Sequence, residues 1–254
     1  METISIAIET ATSACSTALL KDGDVLSEQT RIAQRRHNEV LPGMVDAVIS
    51  EAGCESDQID FIAVSIGPGS FTGLRVGLSF AKGFALAVGA SVIPVGTLEG
   101  LAFNIYNHLK ERIGEVVDQL TCCPLTVARR GEVFGQIFRL KDGNPEADTE
   151  IFMGDAARIA ESLSPGTIVA GEGAEMILAG MRQQLGDKLV DLRDSGELPR
   201  IDGRSYYLPG LSASASSIGR LAWRQWQTGR ASIPPAENLE PLYLKEFTVY
   251  KKMP

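Results

Sequence analysis

Ile4, Ile6 and Ile8 alternate with polar or small residues, which predicts a strand over residues 3–9. A polar turn, Thr10-Ala-Thr-Ser-Ala14, leads into a second strand over 15–20. Lys21-Asp-Gly-Asp24 is a hairpin signal, and residues 25–30 return as a third strand. The period then changes. Leu41, Met44, Val45, Val48, Ile49 and Ala52 repeat at three and four, the stripe of an amphipathic helix, with Gly53 placed to stop it. Pro42 belongs in that helix's first turn or bends it. A strand over 61–65, a glycine-rich turn, a helix reaching about Val88, a strand over 91–95 and a helix capped by Thr97 complete the half. The order is βββαβαβα.

The second half repeats the scheme. Strands are expected over 120–128 and 132–140, joined at Arg129-Arg-Gly131. Lys141-Asp-Gly-Asn144 signals another hairpin, with a third strand near 149–152. Asp155 caps a helix to Leu163, residues 167–170 form a buried strand, and Gly171-Glu-Gly-Ala174 turns into a helix to about Leu185. Residues 189–192 read as a short strand, and 211–228 as a helix with Ile218, Leu221, Ala222 and Trp226 on its core side. Two copies of one topology predict a duplicated α/β fold. The lobes are expected at 1–111 and 112–254, with the linker near 112–118.

The densest pattern is Gly67-Pro-Gly-Ser-Phe-Thr-Gly-Leu-Arg-Val-Gly77. Small residues recur every fourth place at Gly73, Gly77, Ala81, Ala85 and Gly89, so one helix face is nearly bare of side chains. A glycine inside a helix costs roughly 0.5–1 kcal/mol against alanine. The expected compensation is close approach by another helix, in this chain or in a partner. The turn also feeds a helix N-terminus, a place for an anion, with Ser70 or Thr72 as the N-cap. It is neither a Walker A loop, since no Gly-Lys-Ser/Thr follows, nor Gly-x-Gly-x-x-Gly.

Composition narrows the classes. The 254 residues are 44% hydrophobic and 22% charged, suiting a soluble protein of one large or two small domains. A net charge of −8 argues against a basic surface spread over the whole protein for nucleic acid. No signal peptide or uncharged membrane-spanning run is evident, and Cys15, Cys54, Cys122 and Cys123 make no Cys-x-x-Cys pair, so a cytoplasmic protein without membrane attachment is expected. With only His37 and His108, a histidine-rich metal site lacks ligands. A metallopeptidase would need His-Glu-x-x-His, and a serine hydrolase Gly-x-Ser-x-Gly. Neither occurs at the residues in question.

Five segments occur in a telling order: Ile6-Ala-Ile-Glu-Thr10 with Ala14-Cys-Ser16, His37-Asn-Glu-Val-Leu-Pro42, the glycine-rich block, Arg129-Arg-Gly-Glu-Val133 and Glu240-Pro-Leu-Tyr-Leu244. Together they resemble the TsaB (YeaZ) family of bacterial tRNA threonylcarbamoyladenosine biosynthesis proteins, over nearly the whole chain. The resemblance implies a two-lobed actin/hexokinase/Hsp70-like fold (ASKHA, ribonuclease H-like). It implies a non-catalytic paralogue of TsaD that activates that enzyme in placing the threonylcarbamoyl group on N6 of adenosine 37 in tRNAs reading ANN codons. Partners would be TsaD, TsaE in a ternary complex, tRNA through the complex, and a second copy as a homodimer. The first lobe's helices would carry the contact, through His37, Leu41, Met44, Val45, Val48, Gly73, Arg75, Gly77 and Ala81.

Departures from the working enzymes of this fold bear on chemistry. TsaD holds metal partly through His-x-x-x-His, but Leu41 stands four places after His37, so no metal site or catalytic residue is assigned. Many relatives carry Asp where this chain has Val127, and the first lobe offers Glu9 where working ATPases place Asp. Glu9, Thr10, Thr12 and Ser13, with Gly171 and Gly173, stand where the fold wraps a nucleotide. Arg129 and Arg130 are candidates for a phosphate or tRNA backbone, or solvated turn residues. No cofactor is expected to bind tightly, with ATP or ADP a candidate at the partner interface. The competing reading is a weak autonomous ATPase or kinase using Glu9 and the 10–13 turn.

Overall fold

The computed structural model describes residues 2–33, 36–129, 131–192, 202–229 and 236–242. Arg130 and residues 194–201 of the segment 194–209 lie outside them. Two compact units emerge: Met1–Gly100 with Ala213–Tyr243, and Leu101–Ser212 with Leu244–Pro254.

The first unit is built on a five-stranded sheet. Its strands are β1 (Ile4–Glu9), β2 (Ala14–Lys21), β3 (Asp24–Ile32), β4 (Ile59–Ser65) and β5 (Ser91–Val95), in the order β3-β2-β1-β4-β5. The hairpins are antiparallel and β1, β4 and β5 run parallel, with Ile6 opposite Leu19 on one side and Ile62 on the other. That order is the ribonuclease H-like arrangement expected for one lobe of an actin/hexokinase-type fold. Helices α1 (His37–Glu51) and α2 (Phe71–Val88) cover one face, where Ile6, Ile8, Ile62 and Val64 meet Leu41, Val45, Leu78 and Ala81. Parallel strands buried on both faces read as near-continuous apolar runs, and β4 does so.

The other face takes α6 (Ala215–Gln227), not a helix of the second half's own sheet. The expected boundary at 111/112 therefore differs from the observed units. The division falls inside α3 (Thr97–Ile113), and residues 213–243 join the first unit. The cause is packing. Gly219 sits so close to the sheet that a Cβ would meet Leu20 Cδ1 at 2.5 Å and Ala7 at 3.0 Å. Trp226 stacks on Phe61, with centroids 5.1 Å apart. At the helix start, Ser16 Oγ accepts from Ala215 N at 3.1 Å and the Glu28 carboxylate from Ser216 N at 2.9 Å.

The second unit repeats the theme around β6 (Thr121–Arg129), with β7 (Glu132–Gly135), β8 (Phe138–Lys141), β9 (Asn144–Ala147), β10 (Phe152–Asp155), β11 (Thr167–Ala170), β12 (Leu189–Asp191) and β13 (Ser205–Leu208). Its main path is β10-β7-β6-β11-β13-β12. Helices α4 (Ala156–Ser162) and α5 (Ala174–Leu185) close a core of Leu125, Phe152, Ile159, Val169, Ile177 and Met181. The single strand expected over 132–140 is broken into β7 and β8. At the break, Ile137 N and Gln136 Nε2 bond to Thr149 at 3.1 and 2.8 Å instead of to β6. Asp155 caps α4 as expected, accepting from Ala157 N and Arg158 N.

Candidate functional site: the helical face of the first unit

Gly73 and Gly77 of α2 point inward. A Cβ on Gly73 would lie 2.0 Å from the carbonyl oxygen of Thr10, and one on Gly77 would lie 2.2 Å from Thr10 Oγ1. Gly69 is equally tight, 2.4 Å from the Ala11 carbonyl. The element that presses on this face is the chain's own β1–β2 turn. Ala81 and Ala85 continue the line into the core, while Gly89 ends the helix in the left-handed conformation. The reading of this face as a contact for another helix is thus corrected: the space left by the missing side chains is already filled.

The other expected interface residues follow the same rule. Leu41, Met44, Val45 and Val48 are fully or almost fully buried in the first unit's core. His37 is buried too, its Nε2 3.3 Å from the Ala14 carbonyl oxygen. Of the proposed set only Arg75 is exposed, its guanidinium 3.9 Å from the centre of the Phe71 ring.

What α2 turns outward is a different line: Thr72, Arg75, Ser79, Gly83 and Leu86, spaced by three and four. Gly83 has nothing within 4 Å of where its Cβ would stand. Leu86 is 86% exposed and Phe71 53%. Val76, Phe80 and Phe84 form a half-buried flank, with Phe80 and Phe84 stacked at 5.8 Å. Between α1 and α2 runs a shallow groove of about 500 Å³, walled by Asn38, Leu41, Pro42, Val76 and Phe80. By length and mean hydropathy (1.2 over 18 residues) α2 is apolar enough to cross a membrane, yet only 33% of it is buried in the fold. Of this outward surface the sequence reading includes only Arg75, because its plainest signal, the small residues at every fourth place, marks the opposite face.

The nucleotide candidates divide between the units. In the first, Thr10 Oγ1 donates to the Gly73 carbonyl at 2.9 Å, and Ala11 N donates to the Glu9 carboxylate at 2.5 Å. Thr12 Oγ1 accepts from Ala14 N at 3.3 Å, and the Ser13 carbonyl accepts from Ala33 N at 3.0 Å. Ser70 is the N-cap of α2. Its amide donates to Ala11 O at 2.7 Å and its hydroxyl accepts from Gly73 N at 3.2 Å. Two donors that could face a phosphate, the Thr10 hydroxyl and the Ala11 amide, are instead spent inside the turn, beside the buried Glu9 carboxylate. In the second unit Gly171 and Gly173 serve packing: a Cβ on Gly171 would lie 2.2 Å from Leu125 O, and Gly173 N donates to that oxygen at 3.0 Å.

The remaining reactive groups are quiet. Burial pushes the Cys15 thiol up to about 11 and Cys123 to about 12, with Cys122 also raised. Arg129 pairs with Glu132 across the β6–β7 turn.

Comparison with known proteins bears on this surface. The sequence model of the TsaD family, tRNA N6-adenosine threonylcarbamoyltransferase, matches residues 24–164, more than half of the chain. A tRNA threonylcarbamoyladenosine biosynthesis protein TsaB from Escherichia coli is 28% identical over 98% of this chain and 97% of its own. The chain belongs to the TsaB/YeaZ branch of the TsaD family. The TsaB of Haemophilus influenzae is 36% identical, over 54% of each chain, so that match spans about half the length of this relative. The solved YeaZ of Pseudomonas aeruginosa shares the fold, with a TM-score of 0.72 at 24% identity over 95% of this chain and all of that one. These relatives and the family model share one process in their names, tRNA threonylcarbamoyladenosine biosynthesis, which is the process of this family.

Proposed function

We propose that the chain is a non-catalytic activator of a TsaD-type transferase, needed for threonylcarbamoylation of adenosine 37 in tRNAs reading ANN codons. The carrying observation is α2: only one-third of it is buried, and the exposed Phe71 and Leu86, with the half-buried flank of Val76, Phe80 and Phe84, stand beside Arg75 and an open groove. Leaving that much apolar surface in water is unfavourable at about 25 cal/mol per Å², and contiguous exposed apolar patches mark contact sites. The transferase covers this face, TsaE joins the pair, and tRNA is held by the assembly. A second copy uses the same face when the transferase is absent. ATP or ADP belongs to the interface with the partner, since the first unit's turn spends its own donors internally.

The test is a reconstituted modification assay with the TsaD-type transferase, TsaE, threonylcarbamoyl-adenylate and tRNA. Adding the chain should raise product formation at least tenfold, and Leu86→Asp should remove most of that gain while leaving the circular dichroism spectrum unchanged. Equal modification with and without the chain would refute the role.

A further inference from the structure

Beside α2, on the side away from α1, lies the segment 236–242. It is fastened at three points. Leu239 is buried in the same core as Leu78 and Ala81. Lys82 Nζ donates to the carbonyl oxygens of Leu239 at 2.7 Å and Glu237 at 3.3 Å. Leu242 N donates to Ile66 O at 2.7 Å, at the entrance to the glycine-rich turn. A lysine carries an ordinary surface charge at little cost, whereas holding its flexible stem against two backbone carbonyls costs side-chain entropy. What that ordering secures is position. With the strap in place, a second groove of about 340 Å³ opens between α2 and Leu239, Glu240 and Pro241. Arg75 and Ser79 line this groove and the α1–α2 groove alike, so the two flank one ridge and form a continuous surface.

We infer that Lys82 is a positioning residue: it clamps the strap 236–242 alongside α2, and the partner that covers α2 also seats on the strap at Glu240 and Pro241. This rests on the proposed role above, and commits to the TsaD-type transferase as occupant because the second groove shares its ridge with the first. The ridge itself suits such a contact. Arginine and aromatic side chains dominate interface hot spots, and Arg75 is already ordered over Phe71.

The full-length chain is titrated with the purified transferase, and the exchange of the Leu242 amide is followed in parallel. Lys82→Met should weaken binding about tenfold and speed Leu242 exchange, with the circular dichroism spectrum unchanged. Lys82→Arg, which keeps a donor at that place, should recover most of the affinity. Glu240→Trp, an exposed change that leaves the clamp intact and fills the second groove, should also weaken binding about tenfold. Unaltered affinity of Glu240→Trp, or faster Leu242 exchange in Lys82→Met with unaltered affinity, would overturn the inference while leaving the role of α2 standing. Failure of the unmodified chain to bind at all would sink both.

Discussion

Gly77 and Gly83 lie on one helix and have opposite surroundings. A Cβ at Gly77 collides with Thr10 Oγ1, whereas one at Gly83 enters open space. Gly77→Ala should therefore destabilise the chain by about 1–3 kcal/mol, the usual cost of forcing extra volume into a packed site. Gly83→Ala should stabilise it by about 0.5–1 kcal/mol through helix propensity. Urea unfolding of the two variants checks both signs. A bulky Gly77 variant is thus a folding lesion, whereas Gly83→Leu should fold normally and lose its partner. The four-residue rhythm of small side chains was plain in the sequence. The thing that fills the gap was not, because the Thr10 hydroxyl reaches the Gly73 carbonyl from 63 residues away. Spacing shows that a face is bare, and only the fold shows what lies against it.

Elements with a clear period were readable. The three opening strands, the α1 stripe with Gly53 beyond it, and α2 with its Ser70 cap stand close to where the pattern puts them. The strand over 132–140 was not, since its break depends on Thr149 supplying hydrogen bonds from another segment. The ownership of α6 was equally hidden. Its stripe of Ile218, Leu221 and Ala222 says that one face is buried, but not against which sheet. At the start of α3, Glu99 makes a pH-dependent contribution. Burial raises its carboxyl above the ordinary value of 4.5, against a smaller opposing effect of the Gly96 amide. The folded chain then holds this proton more tightly than the unfolded one. The resulting cost is absent well below pH 4.5, grows as pH rises through that value, and is complete above the folded-state value. Glu99→Gln should accordingly raise the melting temperature at pH 7.5 and leave it nearly unchanged at pH 4, as thermal scans at the two pH values would register.

At the scale of the whole molecule, duplication and the family were both legible from element order and five short segments. The contact residues were not, because eight of the nine assigned to the interface turned out to belong to the first unit's interior. The central claim now concerns the opposite side of α2, which pairs an apolar surface with an ordered arginine and two flanking grooves. Hydroxyl-radical footprinting of the chain, alone and saturated with the TsaD-type transferase, tests that claim most directly. Oxidation of Phe71, Phe80 and Leu86 should fall several-fold in the complex, while Leu26 and Ile32, exposed on β3, react as before. Undiminished oxidation of Phe71 and Leu86 in a saturated complex would contradict it.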